Sequence, residues 1–428
     1  MDAPEVLKNT EKETSKRLKE PLLFLCHRIP FPPNKGDKIR SFNILKKFSE
    51  QYDVHLGCFI DDVFDKQYVS GLHQYCASIF HLDQHKSLAK IKGLTGFLTN
   101  KPITLPYYFD KRMQQWTNRT LAQKKIEKVF IYSSSMAQYV QTNKTQDKDK
   151  YNSLERVIDF VDVDSDKWRQ YSNKKTGIAK WFFNREYKLL AKEENKICAE
   201  FTHSLFVSPD EAQLFRNNQP EAQKVKVKGL LNGVDVDFFN PTATFSKENL
   251  VPTVPFISFT GAMDYWANID AVLWFVEQVW PLILAKKPDA VFCIVGGNPS
   301  NDVKALAKNN KGIIVTGRVH DVRPFIEQAH CVVAPLQIAR GIQNKVLEAM
   351  SLNKAIVVTT MAMEGINAKQ SQGVIITDDA QIYAQACLTL LDEQPKVLKN
   401  RQWIINNFTW QQTLQPLVNY FSVKESDQ

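Results

Sequence analysis

The stretch Arg340-Gly341-Ile342-Gln343-Asn344-Lys345-Val346-Leu347-Glu348-Ala349-Met350 gathers a glycine, a lysine and a glutamate around the predicted start of one helix. A helix start leaves backbone N–H groups unpaired and carries the positive end of the dipole, which suits a diphosphate. Gly341 lets backbone approach a phosphate closely, Asn344 reads as the N-cap, and Lys345 falls in the first turn within reach of phosphate oxygens. Glu348 follows three residues later on the same face, where its carboxylate can accept both hydroxyls of a ribose. A nucleoside-diphosphate clamp is the chemistry these residues describe. The competing reading is an ordinary glycine-capped helix.

A second group is carboxylate-rich. Asp162, Asp164 and Asp166 follow a predicted strand end and could hold a divalent ion or the hydroxyls of a sugar. They could equally be a solvated loop that caps a helix at Ser165 or Asp166. Cys76, His81 and His85 are the one candidate metal set, with the two histidines on a helical face; no carboxylate cluster supports it, and no metal is expected. Ile178 to Leu190 sets Trp181, Phe182, Phe183 and Tyr187 among Lys180, Arg185 and Lys188, a pattern for a core helix or one lying on an anionic bilayer. Pro102 to Trp116, with Tyr107, Tyr108 and Phe109, reads as core or as an acceptor groove.

These groups need a scaffold larger than one ordinary core. The chain has 428 residues, 43% hydrophobic and 24% charged, which fits a soluble protein of two domains. The longest apolar stretch, Ala271 to Leu284, is interrupted by Glu277, Gln278 and Pro281, so no membrane span is expected. The N-terminus lacks an apolar signal region, and the expectation is a cytoplasmic protein, either free or at the inner face of the cell membrane. Seven scattered cysteines without C-x-x-C spacing read as reduced core residues. The net charge of +9 is dispersed, without a basic tract or a nucleic-acid signature, and points to a phosphorylated small molecule or an anionic surface rather than nucleic acid.

The hydrophobic pattern alternates strand and helix twice. Leu22 to Cys26, a Pro-rich loop ending at Gly36-Asp37, a helix and Val54 to Ile60 open the first unit. Val129 to Tyr132, Val157 to Phe160 and Ser204 to Val207 continue it. After the turn Asn232-Gly233-Val234-Asp235 and a linker from Pro241 to Pro255, the pattern restarts with Phe256 to Thr260, Gly261, and a helix over Ile269 to Trp280. Strands at Val291 to Val295, Ile313 to Thr316, Cys331 to Ala334 and Ile356 to Val358 follow. The expected division is a tail over 1–20, a first Rossmann-like domain over 21–245, a second over 246–405 that binds nucleotide, and a C-terminal helix over 406–428 that crosses back.

The ordered motifs resemble the retaining, nucleotide-sugar-dependent glycosyltransferases of family 4. They are the Pro-Pro loop with Gly36-Asp37, Asn232 to Asp235, Phe259-Thr260-Gly261, Val295-Gly296-Gly297, Thr316-Gly317-Arg318, and Gly341 to Met350 with Glu364-Gly365 behind it. Phe160 to Trp168 and Arg340 to Met350 are most similar to the exopolysaccharide transferases associated with the exosortase (PEP-CTERM) system. The resemblance implies the GT-B fold, two doubly wound α/β domains across a cleft, and transfer of a hexose-type sugar from a nucleoside diphosphate to a lipid-linked or polysaccharide acceptor. Donor binding is expected from Gly36, Asp37, Gly261, Arg318, Arg340, Gly341, Asn344, Lys345 and Glu348, and catalysis from Asp162, Asp164 and Glu348; the resemblance implies no metal or further cofactor. Glu348 matches the second glutamate of the family's Glu-x-seven-Glu motif. Arg340 stands where the first glutamate belongs, and Met263 and Asn268 stand near the family's usual diphosphate-binding cations. The pattern therefore predicts that Arg340 and Lys345 hold the diphosphate instead. The alternative is a non-catalytic nucleotide-sugar-binding scaffold subunit of a polysaccharide-synthesis complex.

Overall fold

The computed structural model describes residues 19–33, 36–142, 151–173, 175–245, 248–339, 341–368, 373–393 and 399–421. Arg340, most of the expected N-terminal tail and the charged loop at 143–150 lie outside them.

Two parallel sheets form the frame. The first contains β1 (Glu20–Cys26), β2 (Tyr52–Ile60), β3 (Ser78–Asp83), β4 (Lys128–Tyr132), β5 (Glu155–Val161), β6 (His203–Phe206) and β7 (Val227–Gly229), in the order β3-β2-β1-β4-β5-β6-β7. The second contains β8 (Phe256–Thr260), β9 (Val291–Val295), β10 (Ile313–Gly317), β11 (Cys331–Ala334), β12 (Ile356–Val358) and β13 (Val374–Ile376), in the order β10-β9-β8-β11-β12-β13. The central strands are buried and mostly apolar because helices cover both faces, which is why they read as nearly continuous hydrophobic runs.

Strand order reverses beside β1 in the first sheet and beside β8 in the second. Loops leaving the carboxyl ends of strands at such a reversal diverge and open a crevice. The first crevice receives the loops after β1 and β4; the second receives those after β8 and β11, which run into Gly261 and Gly341.

Three short strands, β3, β7 and β13, escape the sequence pattern. Two have only three residues, and β3 (Ser-Ile-Phe-His-Leu-Asp) is a half-exposed edge strand with too little periodicity to stand out. β3 also corrects the metal reading. His81 is on this strand and His85 precedes the next helix, so the two share no helical face. No metal-binding group of three is found among the described residues.

The helix Trp266–Lys286 runs well past its expected ends, through a π-helical turn at Phe275–Val279 just before Pro281. By length and composition it could cross a membrane, yet half of it is buried, with Val272, Phe275, Val279 and Ile283 in the second core.

The two domains meet at Asn232 to Asp235. A Cβ on Gly233 would stand 2.6 Å from the backbone nitrogen of Trp410, so only glycine permits this approach. Val234 bridges Thr409, and beyond it Trp410, Leu414, Leu417 and Phe421 pack into the first domain's core.

Candidate functional site

The second crevice is built from loops that interlock closely. Met263 N donates to Gly297 O (2.9 Å) and Ser300 N to Met263 O (3.1 Å), which ties the loops after β8 and β9 together. A Cβ on Gly296 would lie 1.7 Å from the Gly261 oxygen, so this crossing excludes any side chain there. Arg318, exposed just past β10, lies beside Gly297, where an added Cβ would meet its Nε at 3.6 Å.

The third wall is α1 (Asn344–Ser351), whose apolar face, Val346, Leu347 and Met350, is buried in the second core. That face turns Lys345 and Glu348 toward the crevice. The Lys345 ammonium donates to Asn268 Oδ1 and lies 4.5 Å from the centre of the Phe259 ring. Asn268 in turn donates to Ala262 O (2.9 Å). One of the two positions lacking the family's expected cation is thus physically covered by Lys345, delivered from a different helix.

Lys345 has no ion pair among the described residues, and the Glu348 carboxylate accepts no hydrogen bond there. Burial lowers the Lys345 pKa to about 7, with Glu348 opposing the shift. Burial raises that of Glu348 to about 7, with Lys345 opposing it. Both side chains are half-buried, so a ligand entering the crevice can reach them. Both groups are poised to gain from a polar ligand: an anion for the ammonium, hydroxyls for the carboxylate.

Two expectations change in detail. Asn344 is the first helical residue, not the cap; Gln343 occupies the cap position without a side-chain cap bond. The Asn344 Oδ1 is buried without a hydrogen-bond partner, because the chain enters the helix one residue earlier than its cap preference suggests. Gly341 has φ +63°, and a Cβ there would approach a Val207 methyl of the first domain to 3.0 Å. This glycine is needed for its left-handed backbone at the seam between domains, in addition to any room it leaves for a phosphate.

The first crevice is different in kind. Asp37 receives Arg28 at 2.5 Å, and Arg28 Nε lies 3.0 Å from Asp61. Gly36 opens the adjoining helix, with open space where a Cβ would stand. Asp162 and Asp164 share Lys167, at 2.7 and 3.2 Å, while Asp166 binds Arg169 and Gln170. The helix begins at Asp164, and its amide at Ser165 is capped by the Glu194 carboxylate, not by a local side chain. Burial raises the Glu194 pKa to about 8, partly offset by its hydrogen bond from Ser165.

His27, at the end of β1, is a site residue the sequence patterns passed over. Its ring stacks on Tyr132 at 7°, meets Tyr108 edge-on, and has Nε2 3.8 Å from Asp37. Burial lowers its pKa, with Asp37 pulling the other way. The available signal was its place immediately after the first strand. Nearby, Ser133 (φ 81°) directly follows β4, and Val161 (φ 72°), a β-branched residue, ends β5. Such backbone is costly for these residue types and gathers where loops must be held in fixed positions. Asp159 supports Val161 by accepting its N–H, and is held by Arg40 in a buried ion pair that also engages Asn232.

Residues 254–393 match the family model described as Glycosyl transferases group 1. The second domain matches the group 1 glycosyl transferases. The whole chain adopts the two-domain GT-B architecture. Sucrose-phosphate synthase from Thermosynechococcus elongatus superposes with a TM-score of 0.66 at 13% identity, covering 94% of this chain and 98% of that one. HepE from Anabaena, solved with UDP-glucose, gives 0.60 at 13% identity over 93% and 98%. WaaG, a glycosyltransferase involved in lipopolysaccharide biosynthesis, gives 0.60 at 12% over 94% and 100%. An uncharacterized 44.6 kDa protein in the cps region of Klebsiella pneumoniae is 22% identical over 371 residues, covering 83% of this chain and 87% of the relative.

Proposed function

We propose that this chain transfers a hexose-type sugar from a nucleoside diphosphate to a growing exopolysaccharide, with retention, on a lipid-linked or polysaccharide acceptor at the cytoplasmic face of the membrane. The observation that carries the reading is the pair Lys345 and Glu348 on one face of α1, facing the second crevice without an ion pair or a bound carboxylate partner among the described residues. Lys345, Arg318 and Arg340 neutralise the donor diphosphate, the first turn of α1 adds backbone N–H groups, and Glu348 binds the ribose. The match of residues 254–393 to group 1 glycosyl transferases and the fold shared with HepE, solved with UDP-glucose, support a nucleotide-sugar donor. The cps-region relative supports polysaccharide synthesis.

In the retaining reaction the bond from the anomeric carbon to the donor phosphate oxygen breaks, and the acceptor oxygen bonds to that carbon on the same face. The acceptor proton passes to the departing phosphate oxygen, so no protein base is required. The chain's contribution is charge stabilisation on the leaving diphosphate and orientation of the sugar. Asp162 and Asp164, held by Lys167, position the sugar or acceptor.

A thermal-shift panel of UDP, GDP, dTDP, ADP and CMP tests the donor site on wild type and Glu348→Ala. A ligand at a hundred times its Kd stabilises the fold by about 2.7 kcal/mol. One diphosphate that shifts wild type and not the variant is the expected result; no shift in either protein would sink the reading. Binding without turnover on supplied acceptors would favour the scaffold alternative.

A further inference from the structure

The helix α2 (Lys86–Leu98) is mounted with its hydrophobic side outward. It meets the protein through its smallest residues: Ala89, Gly93 and Gly96 are buried. A Cβ on Gly96 would lie 2.8 Å from Lys101 O, and one on Gly93 3.3 Å from Ile103 O, so these glycines let the helix settle against the following segment. Its large apolar residues, Leu88, Ile91, Leu94 and Leu98, are between 58% and 89% exposed. An ordinary surface helix has the opposite arrangement, and an apolar surface of this kind marks an interaction site.

The exposed surface continues onto α3 (Gly177–Glu200). Phe97 stacks on Trp181 and on Phe182, with centroids 6.3 and 6.0 Å apart, and Ile178 and Trp181 remain largely exposed beside it. The chain segments that form this face carry only basic charge, and Asp61 pairs with Lys86 at its edge. No aspartate or glutamate occurs from residue 84 to 109 or from 167 to 185, whereas Lys86, Lys90, Lys92, Lys175 and Lys180 border the apolar residues.

We propose that this face docks the protein on an anionic lipid bilayer, with α2 lying in the interface and the Trp181 ring beside it. Exposed leucines flanked by lysines and an aromatic ring form the pattern of an interfacial helix. A second copy of the chain would oppose one lysine rim to another, and a neutral partner would leave the rim unused; anionic headgroups satisfy both parts.

The position also suits the proposed reaction, although the docking itself does not depend on it. Lys86 reaches Asp61, which holds Arg28 at the rim of the first crevice. Phe182 and Phe183 pack on Trp168, in the helix that begins at Asp164. A membrane on this face would lie beside the acceptor-side crevice.

The test is vesicle co-sedimentation of the full chain. Vesicles of phosphatidylcholine alone are compared with vesicles containing phosphatidylglycerol, at low and high salt. Wild type is expected to sediment with the anionic vesicles and to be released by salt. The triple variant Ile91→Ser/Leu94→Ser/Leu98→Ser should lose at least about tenfold in affinity, as should Lys90→Glu/Lys92→Glu. Both substitute exposed positions, so the thermal unfolding midpoint should be unchanged. Absence of wild-type binding to anionic vesicles, or equal binding by the triple variant, would overturn the proposal. So would a wild-type dimer in sedimentation equilibrium that the triple variant dissolves, which would assign the face to a second copy. Donor thermal shifts report the sugar-transfer reading separately, because they need no lipid.

Discussion

The two crevices are made from the same kind of strand ends, yet their charges are in opposite states. In the first, Arg28 is held by Asp37 and Asp61, Lys167 by Asp162 and Asp164, and Arg40 by Asp159. In the second, neither Lys345 nor Arg318 has a carboxylate partner among the described residues. Charges that are already paired hold loops in place and offer little net charge to a ligand. A half-buried cation without an anion offers much more, because the ligand supplies the missing partner where water is scarce. The difference supports the proposed division of labour, with donor recognition in the second domain and positioning in the first.

The largest expected effect comes from removing the unpaired cation. Lys345→Ala should weaken binding of the diphosphate by about tenfold to a hundredfold, the value of one charge-assisted hydrogen bond. Isothermal titration with the nucleotide found in the thermal-shift panel measures it. An unchanged Kd would remove Lys345 from the site and collapse the contrast between the crevices.

Next is the ribose contact. Glu348→Ala should lower donor affinity by about tenfold and make the protein indifferent to a 2′-deoxy analogue, which wild type should bind less well. If the variant still discriminates between the two sugars, the diol is recognised elsewhere.

The pH dependence sharpens the comparison. Lys345 has its pKa lowered to about 7 in the folded protein, so in the free protein its charge is complete below that pH and is lost above it. Binding to a diphosphate whose own charge is constant should therefore weaken as pH rises above about 7, approaching tenfold per unit until the pKa of the bound state is reached. Lys345→Arg should flatten the profile. The linkage for Glu194 runs in the same direction with pH but is read in folding stability, not in ligand binding. Its folded pKa, raised to about 8, means that the native protein keeps a proton the unfolded chain releases from about 4.5 upward. Stability should fall as pH rises across that window, and Glu194→Gln should remove the slope in urea unfolding.

The smallest effect belongs to a paired charge in the first crevice. Asp162→Asn leaves Lys167 with Asp164, both groups partly exposed, so it should cost less than about 1 kcal/mol in urea unfolding. Donor binding should be unchanged while KM for the acceptor rises. A loss of donor affinity as large as that of Lys345→Ala would show that the first domain shares the anion site.

Legibility in the sequence followed the length of the contacts. The central strands of both sheets, among them Phe256–Thr260 and Val291–Val295, were plain because both of their faces are buried and they are mostly apolar. The single face shared by Lys345 and Glu348 was plain because helical spacing fixes it. The strands β3, β7 and β13 were hidden, being short edge or near-edge pieces whose pairing is decided by their neighbours. His27 was hidden because its partners, Tyr108 and Tyr132, are far away in the chain.

Local periodicity was enough to fix two alternating units, their central strands, and a helix presenting a lysine and a glutamate together. Tertiary structure alone decided that Lys345 covers the place of an absent cation beside Asn268, that the aspartates after β5 are already neutralised, and that α2 turns its leucines to solvent. Those outcomes depend on which distant groups meet, and a side chain's charge or apolar surface becomes available or spent only when its neighbours in space are fixed.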